Sequence, residues 1–202
     1  MKILLGLLPC FVFIYTSASL ECEVCAGVGT SCTGIMQTCE AGKDTCVIAV
    51  SESSLAGFHV QTIAKTCESS SVCRYGPQYM HFGHGQNLRA RITCCVGAAC
   101  RTAVPQLPPV IIKPNGKQCP SCYSLFSGTC NEEEMVDCVG PESECLDLAA
   151  TVVHGTVVAN TLQKGCVTKG VCSDLKVGES DIGGIRSIIT SAVCKGANST
   201  SA

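Results

Sequence analysis

The chain has 202 residues, enough for one large domain or two small ones, and its formal net charge of −2 at pH 7 includes no basic stripe, which argues against nucleic acid as a ligand. Trp is absent, aromatics are 4% and 19 residues are Cys, so the 46% hydrophobic content overstates what a buried interior can supply. Small modules with so poor a core need staples, because burial alone gives them only ~3–5 kcal/mol.

At the N-terminus, Lys2 precedes an apolar run from Ile3 to Tyr15 and the small residues Thr16, Ser17, Ala18 and Ser19. This reads as a secretory signal peptide over 1–19, cleaved after Ser19. The run is shorter than the ~20 apolar residues of a membrane span. Cleavage removes Cys10 and leaves 18 cysteines, an even number in a chain bound for an oxidising compartment. The polar, small tail from Lys195 to Ala202 carries no lipid-anchor signal. The expected product is soluble, secreted and extracellular, with no membrane anchor.

From Cys22 onward the cysteines repeat. The gaps through Cys25, Cys32, Cys39 and Cys46 are two, six, six and six residues; those from Cys119 through Cys122, Cys130, Cys138 and Cys145 are two, seven, seven and six. Twenty, five and twenty residues then separate Cys46, Cys67, Cys73 and Cys94, against twenty, five and twenty-one between Cys145, Cys166, Cys172 and Cys194. Two copies of one module follow. Their expected bounds are 20–103 and 118–196, joined by a Pro-rich apolar linker over 104–117 and closed by a polar tail, 197–202.

Between the cysteines the pattern is that of strands. Leu88, Ala90 and Ile92 alternate with Arg89, Arg91 and Thr93, the period of a half-buried strand. Val47 to Val50 and Phe58 to Ile63 flank the turn-forming stretch Ser51 to Gly57, and Leu146 to Val153 and Thr156 to Leu162 flank His154-Gly155; both read as hairpins. A further strand is read over Ile185 to Val193. The fold class is therefore small, disulfide-rich and all-β, with antiparallel hairpins projecting from clusters of cysteines. Adjacent Cys94 and Cys95 have Cα atoms only ~3.8 Å apart, too close for mutual bonding, and Cys100 is near enough to take one of them. Beyond that, eight cysteines alone allow 105 pairings.

Catalytic and metal chemistry find little support. The CxxC pairs at Cys22 and Cys119 fit a disulfide ladder better than a redox pair or zinc site. His81 and His84 at i, i+3 read as surface loop residues. Ser69, Ser70 and Ser71 have no local motif marking an activating base. Glu132, Glu133 and Glu134 read as a solvated loop, since the spaced oxygen ligands of a calcium loop are missing. No catalytic, cofactor or metal residue is assigned.

The string Cys22-Glu23-Val24-Cys25, the ladder through Cys46 and the Cys94-Cys95 ending resemble the lymphocyte-antigen/urokinase-receptor module, the three-finger or snake-toxin-like domain. The resemblance covers both repeats. It implies Cys22 with Cys46, Cys25 with Cys32, Cys39 with Cys67, Cys73 with Cys94 and Cys95 with Cys100. In the second copy it implies Cys119 with Cys145, Cys122 with Cys130, Cys138 with Cys166 and Cys172 with Cys194. Two departures stand out: Arg101 replaces the family's usual Asn, and Lys195 stands where a counterpart of Cys95 would fall, so a looser C-terminal edge is expected.

Gly42-Lys43-Asp44-Thr45-Cys46, Ser70-Ser71-Val72-Cys73 and Pro114-Asn115-Gly116 leading to Cys119-Pro120-Ser121-Cys122 are similar to the gamma-type phospholipase A2 inhibitors. That likeness implies steric binding to secreted phospholipase A2 and association of several subunits, alike or related. Extracellular signalling through a receptor, or adhesion as in the urokinase receptor, is the alternative. Two groups are candidate partner-binding residues. One is the linker stretch Leu107, Pro108, Pro109, Val110, Ile111 and Ile112, which packs between modules, contacts a partner chain or meets the enzyme. The other is Tyr75, Tyr79, Met80 and Phe82 on the third finger, which either stand exposed as aromatic anchors for a partner or line the small core. Asn198 opens the sequon Asn198-Ser199-Thr200, a glycosylation candidate in an exposed tail.

Overall fold

A computed structural model describes residues 19–130, 134–154, 156–182 and 185–199; the expected leader over 1–19, apart from Ser19, and the acidic Glu132 and Glu133 lie outside them. The first module contributes β1 (Glu21–Val28), β2 (Ile35–Thr38), β3 (Thr45–Ser53), β4 (Val60–Glu68), β5 (Gln78–His81) and β6 (Asn87–Cys95). The second contributes β7 (Pro114–Leu125), β8 (Glu134–Val139), β9 (Glu142–His154), β10 (Val157–Thr168), β11 (Gly178–Ile182), β12 (Ile185–Gly196) and β13 (Asn198–Ser199). Pro114 already belongs to β7, so the linker read as 104–117 ends in strand. Proline is tolerated there because it opens the strand.

Each module is three antiparallel hairpins: β1–β2, β3–β4 and β5–β6, then β7–β8, β9–β10 and β11–β12. Within the first, β3 lies between β4 and β6; within the second, β9 lies between β10 and β12. The hairpin expected around His154 pairs Val157 with His154, and the one expected around Ser51 to Gly57 extends to Ser53 opposite Val60.

Nine disulfides staple the hairpins among the described residues, most of them at the hairpin bases, with Cys25–Cys32 and Cys122–Cys130 instead tying the loop of each first finger to its leading strand and Cys95–Cys100 closing a short loop after β6. They join Cys22 to Cys46, Cys25 to Cys32, Cys39 to Cys67, Cys73 to Cys94 and Cys95 to Cys100. In the second module they join Cys119 to Cys145, Cys122 to Cys130, Cys138 to Cys166 and Cys172 to Cys194. Cys22, Cys46 and Cys67 are buried together, as are Cys119, Cys138 and Cys166. Each bridge stabilises by typically ~2–4 kcal/mol, largely through the unfolded chain, which offsets the scarcity of apolar side chains. Where the second module lacks a counterpart of the Cys95 bridge, Ala197 packs on its sulfur cluster and donates its N–H to the Ser143 carbonyl at 3.0 Å. β13 then pairs with β7, Asn198 opposite Gln118.

The modules are not beads on a string. β5 pairs with β10, Cys166 opposite His81 and Val167 opposite Met80, so strands of both modules run in one sheet ordered β11-β12-β9-β10-β5-β6-β3-β4-β1-β2. The apolar cluster at this seam joins Phe82 of the first module to Leu146, Leu148, Val167 and Val171 of the second. Phe82 is 1% exposed, and full burial of such a side chain is worth ~1.5–3 kcal/mol. Gly165 makes the approach geometrically available: a Cβ there would stand 2.1 Å from the His81 carbonyl oxygen and 2.9 Å from the Phe82 ring.

Candidate partner-binding surface

The seam decides the fate of the third-finger residues. Tyr79 and Phe82 are buried, and Met80 and Tyr75 are half-buried. This corrects the exposed-anchor reading in favour of the core-lining one, and the cause is physical: the finger is an internal strand of the joint sheet. Its backbone is held by side chains of the second module. Ser121 donates its hydroxyl to the Phe82 carbonyl, and the Tyr79 N–H donates to Thr168 Oγ1 at 3.2 Å. Thr168 Oγ1 in turn lies 2.8 Å from Gln78 Oε1. His81 is likewise no loop residue. It ends β5, its Nδ1 is buried without a hydrogen-bond partner, and burial lowers its pKa. Only His84 matches the surface reading, at the fingertip turn, where it meets Glu134 of the second module at 3.0 Å.

The linker runs beside this seam and divides its contacts. Leu107 packs on Ile48, Val50 and Ile63 of the first module, and Pro108 is fully buried. Arg89 donates to the Pro108 carbonyl and forms an ion pair with Glu52 at 2.7 Å, while the Tyr79 hydroxyl donates to the Pro109 carbonyl at 3.1 Å. The carboxyl of Glu52 is held below its ordinary range by hydrogen bonds from Gln61 and Arg89. Ile111 lies against Gly140, and the Gly140 N–H donates to the Lys113 carbonyl at 3.2 Å. Val110 and Ile112 instead face solvent, 68% and 83% exposed. Thus Leu107 packs on the first module, Pro108 is enclosed and Ile111 lies against the second module, whereas Val110 and Ile112 form an apolar ridge on a backbone held from both sides.

Behind the ridge is Glu142, 1% exposed, whose carboxylate accepts from the Val139 N–H at 2.8 Å. Burial pushes its pKa up to about 7 against that single hydrogen bond. Nothing in the local sequence marks this residue, because its burial depends on the linker passing over β9.

All the described cysteines are bridged, so the sulfur clusters offer no thiolate to a metal. Ser70 donates to Asp44 at 2.8 Å and the Ser69 hydroxyl accepts from the Ser71 N–H, so these serines brace a turn. No hydroxyl among the described residues hydrogen-bonds a histidine. Asn198 is exposed, in β13 rather than in a free tail.

Residues 20–102 match the family model described as phospholipase A2 inhibitor, and residues 115–201 match the u-PAR/Ly-6 domain. Phospholipase A2 inhibitor NAI of Notechis ater is 34% identical over 166 residues, covering 80% of this chain and 80% of its own. The chain belongs to the phospholipase A2 inhibitor family. Phospholipase A2 inhibitor CNF of Crotalus durissus terrificus is 31% identical over 201 residues, 98% of this family member and 97% of its own length. Among solved structures, mouse TEX101 covers 89% of this chain and 99% of its own at 17% identity, with a TM-score of 0.33, too loose a likeness to inform the site. No helix among the described residues is long and apolar enough to cross a membrane.

Proposed function

We propose that this protein is a secreted, non-catalytic inhibitor that binds secreted phospholipase A2 and covers its lipid-facing surface. Family membership carries the reading, since relatives matching most of the chain bear the name phospholipase A2 inhibitor. The exposed ridge of Val110 and Ile112 supports it: apolar side chains presented to water on a braced backbone form a docking surface that loses little entropy on binding. A steric block buries about 1,200–2,000 Å² in total, so the ridge is the centre of a larger patch. Secretion is supported by the leader pattern and the density of disulfides. Association of several copies or related chains belongs to the same proposal, in keeping with relatives named as gamma subunits.

Titration against a panel of secreted phospholipases, following both binding and vesicle hydrolysis, tests this reading. Binding with matched loss of hydrolysis is expected. Neither effect across a broad panel rejects it and turns attention to a receptor as partner.

A further inference from the structure

On the side of the seam where Arg91 emerges lies an open cleft of about 810 Å³, within the ~300–1,000 Å³ typical of small-molecule sites. Both modules and the linker build it. Tyr75, Pro77 and Tyr79 come from the third finger, Pro109 and Ile111 from the linker, and Pro141 from the second module. Its charge is one-sided. Arg74, Arg91 and Lys169 line it, and no carboxylate does among the described residues. Arg74 sits 5.8 Å from the centre of the Tyr75 ring, and among the described residues Arg91 and Lys169 have neither an ion pair nor a side-chain hydrogen bond. Arg91 shares a face of β6 with Arg89, yet Glu52 neutralises Arg89 and leaves Arg91 without a counter-ion.

Apolar walls with unneutralised cations at the rim select a ligand that has an apolar body and an anionic end. We infer that this cleft binds a long-chain fatty acid, its carboxylate against Arg91 and Lys169 and its alkyl chain along the proline, tyrosine and isoleucine walls. A free carboxylate is ionised at neutral pH, and a charge-assisted contact with a guanidinium or ammonium is stronger than a neutral hydrogen bond. Hydrolysis of an ester of a fatty acid is the class of reaction that supplies this ligand. The cleft requires the seam to be intact, because each module alone supplies only part of the wall. The inference does not depend on which protein partner is bound.

Isothermal titration of the full chain with oleate, kept below its micelle threshold, tests it. Saturable binding near one per chain is expected, with oleyl alcohol at least tenfold weaker and acetate without measurable binding. The Arg91→Gln/Lys169→Gln variant should weaken oleate at least tenfold, and Lys169→Gln alone, on an exposed side chain, should weaken it severalfold with the near-ultraviolet spectrum unchanged. No binding of oleate, equal binding of oleyl alcohol, or oleate affinity unchanged in both variants each overturns the inference. Phospholipase binding measured on the same variants separates the outcomes, since the lipase interface proposed at Val110 and Ile112 can fail while oleate still binds.

Discussion

Replacement of Gly165 by alanine should open the seam while leaving both modules cross-linked. The new Cβ would stand 2.1 Å from the His81 carbonyl oxygen and 3.0 Å from its carbon; these are backbone atoms, and no rotamer change relieves the contact. β5 must therefore move off β10. Phe82, 1% exposed, then loses burial worth ~1.5–3 kcal/mol. The Ser121 bond to the Phe82 carbonyl and the Tyr79 bond to Thr168 are lost with it, at ~0.5–1.5 kcal/mol each. The seam should weaken by about 2.5–6 kcal/mol in total, while the nine disulfides keep each module folded. Small-angle scattering should report a larger radius of gyration. Amide exchange should accelerate at Met80 to Phe82 and at Val167, while amides of β3 and β4 stay protected. An unchanged radius with native protection at Val167 would refute the reasoning that these backbones are in contact.

Glu142 sets a pH dependence. Its carboxyl is raised from the ordinary 4.5 to about 7 in the fold, so its favourable contribution is complete below pH 4.5, declines between 4.5 and 7 and is gone above 7. Relative to Glu142→Gln, the wild type should lose roughly 3 kcal/mol of stability between pH 4 and pH 8 in urea unfolding; a flat difference contradicts the burial of an acid there. His81, whose pKa burial lowers, acts in the opposite sense, with stability intact above its ordinary 6.5 and lost as pH falls below it, and cancels in that difference. Tyr79→Phe should cost about 1 kcal/mol by removing the bond to the Pro109 carbonyl, seen as a lower urea midpoint at constant slope. Val110→Ser with Ile112→Ser, both at exposed positions, should leave stability within about 0.5 kcal/mol yet weaken phospholipase binding at least tenfold; unchanged affinity removes the ridge from the proposed interface.

Cysteine spacing alone made the duplication and the all-β hairpins legible, because a disulfide framework fixes where the chain must return and period-two alternation marks the strands between. Gly165, by contrast, reads in sequence as one more glycine beside a cysteine. Its purpose is visible only when β5 lies across it. Tyr79 and Phe82 illustrate the same limit: local pattern places aromatics on a finger but does not say whether solvent or another module meets them. Neither Glu142 nor the unpaired Arg91 stands out for its residue type or its neighbours, since burial and the lack of a counter-ion arise from segments far apart in the chain. Local pattern thus determined the modules and where their cysteines fall, while the pairing of those cysteines was implied only by the family resemblance. How the modules join, which linker side chains reach water and where charge goes uncompensated were decided by tertiary contact, because those properties belong to pairs of surfaces and not to any one stretch.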